Sequence, residues 1–182
     1  MSLLKPFSKL PGLNTASILL VEDEEQFQQS LADVLVKETN VTVTVRLAKS
    51  LPLPMDESRP RIDLVVFIIN LTSELSFQSA EASLKYLDPG YFLGKACFMV
   101  TNARKASVPT ERVDAVRKLA TLLHCPLLFA EDQTSEGVIG AAERLLTILK
   151  VSAGLVPMTT ALYLSNLTRC TLPPDIDQPS FD

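Results

Sequence analysis

The feature of this sequence that most constrains its fold is a repeated alternation of short apolar runs with amphipathic stretches. The apolar runs are rich in β-branched residues, which favour strands, and between them apolar residues recur every three or four positions, which favours helices. Strands and helices alternating at these lengths predict a three-layer α/β fold, in which a mostly parallel sheet carries helices on both faces. The predicted strands are residues 17–21, 41–45, 62–70, 95–101 and 126–130, and the predicted helices follow Asp23 and span residues 74–87, 109–123 and 135–151.

Local patterns assign places to some of these elements. Residues 62–70 (IDLVVFIIN) form the most apolar run, which predicts the central strand, whereas the strict alternation of residues 41–45 (VTVTV) predicts a half-exposed or edge strand. Asp23 is predicted to cap the first helix, with Gln26 three residues later completing a capping box. The loop 49–61 contains prolines at positions 52, 54 and 60, which exclude it from the interior of the sheet.

The length and composition predict one globular domain. The chain has 182 residues, of which 47% are hydrophobic and 21% are charged. We expect a single domain over residues 1–170, which includes an appended helix at about 157–168, and a disordered tail over residues 171–182. The net charge of −4 argues against binding to DNA or to an anionic membrane. Three widely spaced cysteines and the lack of a signal-peptide pattern predict a soluble intracellular protein.

The opening strand and acidic turn, ILLVEDEEQ, are similar to the start of a phosphoryl-accepting receiver domain. Glu22 and Asp23 stand where a receiver binds Mg²⁺, but Ile68 stands where the phosphorylated aspartate belongs. Thr101 matches a receiver hydroxyl, yet no lysine-proline pair follows the strand PLLFA. Two essential groups are therefore missing, and the acidic turn is explained by its favourable position at a helix N-terminus. We predict no metal site here.

The same strand, turn and helix are also how a GTP-binding domain begins. A phosphate-binding loop needs glycines and a lysine, and the segment EDEEQFQQS after Val21 has neither. The motif that reads guanine is also incomplete, because Asn102 is followed by Lys105 where an aspartate should accept hydrogen bonds from the base. We therefore predict no nucleotide-binding residues and no cofactor.

Other catalytic constellations are also missing from the sequence. His124 and Cys125 are adjacent, but neighbouring side chains that enter an extended strand point in opposite directions. No G-x-S-x-G motif occurs, so no serine nucleophile is indicated. The sequence therefore predicts no catalytic residues and a protein that is not an enzyme.

Three apolar segments are not needed by the predicted sheet and indicate a protein-binding surface instead. They are residues 47–54 (LAKSLPLP), residues 89–95 (PGYFLGK) and the helix that begins at Pro157. Within them we predict Leu93 and Leu162 as the anchors of partner binding. The side chains predicted to lie beside these anchors are Tyr91, Phe92 and Leu164.

Five runs between Leu10 and about Leu167 resemble the centromere protein M family. They are LPGLNTASILLV, LAKSLPLP, RPRIDLVVFIINL, YFLGKACF and SAGLVP with the ALYL that follows. The resemblance implies a Ras-like pseudo-GTPase domain that binds no nucleotide. It also implies a nuclear, non-catalytic subunit of the constitutive inner-kinetochore network. Its partners would be centromere proteins H, I and K, chiefly the helical-repeat protein I, which it would stabilise for kinetochore assembly and chromosome segregation.

One alternative stays open, a degenerate receiver-like signalling module that binds a partner without phosphorylation. Strand direction distinguishes the two folds, because a small GTPase has an antiparallel second strand and a receiver is parallel throughout. The alternation of residues 41–45 favours the antiparallel strand and hence the GTPase-like fold.

Overall fold

A computed structural model describes residues 3–6, 14–54, 61–157 and 159–162, which form a doubly wound α/β domain. The five strands lie in the order β2-β1-β3-β4-β5, and all neighbouring strands are parallel. The predicted three-layer α/β fold is thus confirmed. The strands are β1 (Thr15–Val21), β2 (Thr42–Ala48), β3 (Leu64–Asn70), β4 (Ala96–Thr101) and β5 (Leu127–Ala130). The helices are α1 (Phe27–Leu35), α2 (Glu74–Leu84), α3 (Thr110–Leu122) and α4 (Ser135–Ser152), with a 3-10 helix at Pro89–Phe92.

The positions of two strands agree with the sequence patterns, but the direction of one does not. β3 is central and β2 is an edge strand, as predicted. The expectation of an antiparallel second strand is wrong, since β2 runs parallel to β1. The reason is α1, which carries the chain back along the sheet so that β2 starts at the same end as β1. Alternating polar and apolar residues indicate that one face of a strand is buried, but they do not indicate whether the strand runs parallel or antiparallel to its neighbour. The observed strand order is that of flavodoxin-like and receiver-like sheets.

Helices pack on both faces of the sheet and enclose two apolar cores. One core lies between the sheet and helices α1 and α4, and the other lies under α2, α3 and the 3-10 helix. In the second core the rings of Phe67 and Phe98, on neighbouring strands, have centroids 5.7 Å apart. None of the helices in the described part of the chain is long and apolar enough to span a membrane.

A buried acidic residue joins the beginnings of β1 and β3. Asp63 is 4% exposed, and its carboxylate accepts the backbone N–H of Ser17 at 2.8 Å. The other carboxylate oxygen accepts from Arg61 Nε, also at 2.8 Å. The backbone N–H of Asp63 in turn donates to the carbonyl of Ser17 at 2.8 Å. These bonds fix the two central strands relative to each other at their amino ends.

The proline-rich loop is anchored to the domain by its first apolar residue. Leu51 is 4% exposed, and its N–H donates to Ser83 Oγ at 3.0 Å. As predicted, the described residues of this loop, 49–54 and 61, lie outside the sheet. Residues 55–60, the tail predicted at 171–182 and most of the helix predicted at 157–168 lie outside the described residues.

Candidate protein-interaction site

Doubly wound sheets bind ligands at their carboxyl edge, at the point where neighbouring connections leave in opposite directions. Here that point lies between β1 and β3, and we call the residues that follow these strands and β4 and β5 the carboxyl edge. The polar side chains there are Glu22, Glu24, Asn70, Asn102 and Asp132.

The position at which such a fold would hold a phosphate is taken by a carboxylate of the chain itself. Glu22 is 4% exposed, and its two oxygens accept the backbone N–H groups of Phe27 at 3.4 Å and of Gln28 at 2.7 Å. These N–H groups belong to the first turn of α1, whose dipole also favours a negative charge. Glu22 therefore caps α1. The predicted cap by Asp23 and Gln26 is wrong, since the helix begins later and Gln26 makes no side-chain cap.

Four of the remaining polar side chains of the carboxyl edge bond to one another, namely Glu24, Asn70, Asn102 and Asp132. Asn102 adopts a left-handed backbone conformation with φ of 61°, and its amide donates to Asn70 Oδ1 at 2.9 Å. The same amide lies 3.5 Å from Asp132 Oδ2, and Asn70 Nδ2 donates to Glu24 at 3.0 Å. Asn102, which the sequence offered as a remnant of a guanine-reading motif, is thus held inside an intramolecular network.

The two residues at receiver-like positions, Ile68 and Thr101, are both buried. Ile68 is 2% exposed and packs in the core on the α1 and α4 side, and Thr101 is 2% exposed at the end of β4. Within the described ranges, no group of three or more His, Cys, Asp and Glu side chains is arranged to hold a metal ion. Most polar groups of the carboxyl edge are therefore bonded within the chain, and one exception is Asp23 Oδ1, which is buried without a hydrogen-bond partner among the described residues.

The adjacent His124 and Cys125 differ in exposure, but the predicted reason is wrong, because His124 lies in a left-handed turn and not in an extended strand. His124 follows α3 in a left-handed conformation with φ of 53° and is exposed, whereas Cys125 is 7% exposed. Burial raises the pKa of the Cys125 thiol to about 12, so the thiol stays protonated at neutral pH. The pair therefore lacks the activated thiolate that nucleophilic catalysis needs.

Replacing Glu22 tests whether its carboxylate caps α1. Glu22→Ala should lower the free energy of unfolding by about 1–3 kcal/mol, since two N–H groups lose their acceptor in a buried place. Glu22→Gln should lower it less, because an amide oxygen can still accept. Urea denaturation measures both changes, and the exposed Glu131→Gln is the control. Equal stability of Glu22→Ala and wild type would contradict the capping role.

The pH dependence of the Glu22→Gln variant has a defined sign. Burial raises the pKa of Glu22, with smaller contributions from the nearby charges of Glu24 and Asp23, while the two N–H bonds oppose the rise. A raised pKa in the folded state stabilises the protein below the unfolded value of 4.5, and this contribution is lost as pH rises through the folded pKa. The difference in stability between Glu22→Gln and wild type should therefore move in favour of the variant as the pH rises above 4.5.

The strongest candidate site lies at the other end of the sheet, around the connection that precedes β4. Leu93 follows the 3-10 helix and is 53% exposed, and Leu162 near the end of the described chain is 54% exposed. Between them the backbones touch, since Gly94 lies so close to Ala161 that a Cβ at position 94 would overlap the Ala161 carbonyl group. We call the area carrying the two leucines the Leu93–Leu162 surface.

The base of this surface is held by specific backbone contacts. Gly94 has φ of 89°, which strains any residue with a side chain, and its carbonyl accepts a buried hydrogen bond from Ser152 Oγ at 2.6 Å. The 3-10 helix before it is capped by Asp88, whose carboxylate accepts the Gly90 N–H at 2.8 Å. Leu93 is therefore presented from a fixed backbone between a helix end and the C-terminal segment.

The structure separates the five side chains predicted from sequence. Leu93 and Leu162 are exposed on segments in direct contact. Tyr91 is completely buried and its hydroxyl donates to the carbonyl of Lys5 at 3.3 Å, so the expectation of an exposed Tyr91 is wrong. The reason is that the 3-10 helix turns Tyr91 into the core under α2. Phe92 is partly buried against the same core, and Leu164 lies outside the described residues.

The first of the three apolar segments, residues 47–54, contributes less surface than its sequence indicates. Leu51 is buried and Leu53 packs partly against the second core, which leaves Leu47 as its exposed leucine, with 40% of the side chain accessible. Leu122 on α3 and Leu75 on α2 are more exposed, at 74% and 71%, and the sequence patterns did not single them out. Neither has the rigid two-segment support of Leu93 and Leu162.

The fold and the two ends of its sheet define a class of protein. It is a doubly wound α/β domain whose own side chains fill the crevice at the carboxyl edge. Its exposed leucines Leu93 and Leu162 lie at the amino end of the sheet. A family model described as centromere protein M matches residues 1–171, and the chain belongs to the centromere protein M family. A centromere protein M from Danio rerio is 58% identical over 182 residues, which cover 98% of each chain. The one from Homo sapiens is 44% identical over 178 residues, 97% of this chain and 99% of that relative.

Proposed function

We propose that this protein is a non-catalytic structural subunit of the inner kinetochore, located in the nucleus at the centromere. Its partners in this proposal are centromere proteins H, I and K, and its main contact is the helical-repeat protein I, which it stabilises. Membership of a family named for the centromere supports the place of action. The observation that carries the mode of action is the Leu93–Leu162 surface, where two exposed leucines stand on backbones in direct contact.

The chemistry of this surface suits a helical partner. Helical-repeat proteins offer grooves between helices, into which leucine side chains insert as anchors. Fully burying a leucine stabilises a complex by about 1.5–3 kcal/mol, and rigid support reduces the entropy lost when the side chain is fixed. Two such anchors on one platform form the kind of small central cluster that dominates the energy of many interfaces.

The carboxyl edge supports a non-catalytic role. The N–H groups that would hold a phosphate are bonded to Glu22, and the amides of Asn70 and Asn102 bond to each other and to carboxylates. A ligand that entered this crevice would have to break these bonds and to approach several carboxylates. The sheet therefore serves as a platform for the surface at its amino end.

Binding of variants with a carboxylate in place of each anchor leucine to a reconstituted complex of centromere proteins H, I and K tests the proposal. Leu93→Glu and Leu162→Glu should each weaken binding by about 2–4 kcal/mol, or roughly 30-fold to 1000-fold, since a carboxylate replaces an apolar anchor. Both side chains are about half exposed, so the domain should stay folded. Isothermal titration calorimetry gives the affinities, and circular dichroism checks the fold.

Leu122→Glu provides the matched control, because it makes the same change at a leucine that is 74% exposed on α3. Its affinity should equal that of the wild type. If the wild-type chain does not bind the complex, the proposed function is wrong. If Leu93→Glu and Leu162→Glu bind the complex as well as Leu122→Glu, the partner is correct but the Leu93–Leu162 surface is not where it binds.

A second function, a receiver-like signalling module that binds a partner without phosphorylation, is favoured by the parallel direction of β2. The ligand and phosphorylation site of such a fold lies at the carboxyl edge, so the test of this function places the partner there. Asn102→Ala would then weaken partner binding, since it removes the central amide of the network. Under the kinetochore proposal the same variant binds centromere proteins H, I and K like wild type.

A further inference from the structure

The two edges of the sheet differ in whether their outward-facing backbone groups are covered. At the β5 edge the Phe129 carbonyl accepts a hydrogen bond from Arg144 at 2.8 Å, and the Arg117 guanidinium lies 5.9 Å from the centre of the Phe129 ring. Side chains of neighbouring helices therefore block this edge, which is how folded proteins prevent further strands from adding. β5 is also short, with four residues.

The β2 edge is open along the strand. Thr42 donates its N–H to the Asn14 carbonyl at 2.8 Å, and the Ala48 carbonyl accepts the Glu22 N–H at 3.0 Å. Since alternate residues of a parallel strand bond to the same neighbour, the even-numbered residues of β2 bond to β1. The odd-numbered residues point their N–H and carbonyl groups outward, where the described part of the chain supplies no partner. These residues are Val43, Val45 and Leu47.

The side chains beside this open edge differ between its two faces. On the face covered by α1 and α4, Val45 is half-buried and Leu47 is 40% exposed. On the other face Thr44 and Arg46 are exposed, and Arg46 has no carboxylate partner within the described ranges. A strand added here would need apolar side chains on one face and would gain from an acidic one on the other.

We propose that the β2 edge binds an extended segment of a partner protein by β-augmentation, with apolar residues on one face and an acidic residue near Arg46. The proposal rests on the proposed function, since it assigns a second contact to the same assembly. A second copy of this chain fits less well. An antiparallel register that pairs Val45 with itself would bring the two Arg46 side chains to diagonal positions about 7–8 Å apart, where like charges repel.

The β2 edge is connected to the Leu93–Leu162 surface through the last turn of α4. Lys150 Nζ pairs with Glu38 at 3.3 Å in the loop that precedes β2, and two residues later Ser152 donates to the Gly94 carbonyl at 2.6 Å. The loop before β2 and the base of the Leu93–Leu162 surface are therefore both bonded to the last turn of α4, and the proposal has one partner contact both.

Amide hydrogen exchange, read residue by residue by NMR, tests this proposal in the free chain and in its complex with centromere proteins H, I and K. In the free chain the amides of Thr44 and Arg46 should exchange slowly and those of Val43, Val45 and Leu47 quickly. In the complex the three outward amides should slow by at least about tenfold, because each gains a hydrogen bond that must open before exchange. Unchanged exchange at all three in a formed complex would overturn the augmentation and leave the proposed function standing.

Two variants complete the test. Val45→Pro removes one outward N–H, which an edge strand tolerates, and Arg46→Glu reverses the exposed charge. Each should weaken the complex by about tenfold. Lys118→Glu on α3 is the control for charge reversal and should bind like wild type. If Arg46→Glu also binds like wild type, the partner segment has no acidic residue near Arg46. If no complex forms with the wild-type chain, both the β-augmentation and the proposed function fail.

Discussion

Replacing Gly94 by valine is expected to detach residues 159–162 from the domain and to abolish partner binding, although both anchor leucines are unchanged. At φ of 89° a β-branched residue is strained by roughly 1–3 kcal/mol. Its Cβ would also overlap the Ala161 carbonyl group, and backbone atoms cannot rotate aside as the end of a flexible side chain can. If Gly94 moves instead, its carbonyl loses the buried bond to Ser152, which costs about a further 1–3 kcal/mol.

Thermal unfolding, amide exchange and binding to the complex of centromere proteins H, I and K together measure this effect. Gly140→Ala is the control, because a Cβ there meets no atom within 4 Å and alanine should stabilise the exposed turn of α4 by about 0.5–1 kcal/mol. If Gly94→Val unfolds like wild type and the amides of Ala161 and Leu162 exchange no faster, the close contact between the two segments is wrong. If these amides exchange faster but binding persists, Leu162 is not an anchor.

Asp63→Ala is expected to lower the free energy of unfolding by up to about 3–5 kcal/mol, the loss when one partner of a buried ion pair is removed. The Arg61 side chain is 23% exposed, so solvent offsets part of this loss. The substitution leaves the Arg61 guanidinium without its carboxylate and the Ser17 N–H without its acceptor, at the joint between the two central strands. Asp63→Asn should have a smaller effect, because an amide oxygen can still accept from Ser17. Urea denaturation measures both variants.

Asp114→Ala is the matched control for Asp63→Ala. Asp114 lies 4.0 Å from Arg117 on the surface of α3, with 51% of its side chain exposed, and such pairs contribute only about 0–1 kcal/mol. A loss for Asp63→Ala no larger than for Asp114→Ala would mean that the bonds from Asp63 do not hold β1 and β3 together.

The fold class and the incomplete receiver and GTPase motifs can be predicted from sequence because they depend on local patterns. The periodicity of burial identified the elements, and the run 62–70 was the most apolar because a central strand is covered on both faces. A missing catalytic residue can also be recognised directly in the sequence, such as the phosphorylated aspartate of receivers, at whose position this chain has Ile68. The resemblance to the centromere protein M family, carried by five short runs, is confirmed by a match over residues 1–171.

The capping of α1 was beyond the reach of local patterns. Asp23 and Gln26 have the spacing of a capping box, but α1 begins at Phe27, and the buried Glu22 reaches its first N–H groups from five and six residues away. The direction of β2 was likewise decided by the crossover through α1 and not by its alternating residues. For both the cap of α1 and the direction of β2, the sequence pattern was compatible with more than one three-dimensional arrangement.

The sequence by itself determined which segments form the sheet, which receiver and GTPase motifs are incomplete and which apolar segments the predicted sheet does not need. Only the tertiary structure decided which of those residues face solvent. Tyr91 and Leu93 are two positions apart, yet Tyr91 is fully buried and Leu93 is 53% exposed, because a 3-10 helix and a left-handed glycine set their directions. The contacts that fix this surface join Gly94 to Ser152 and Ala161, and contacts so far apart along the chain depend on packing that local periodicity does not record.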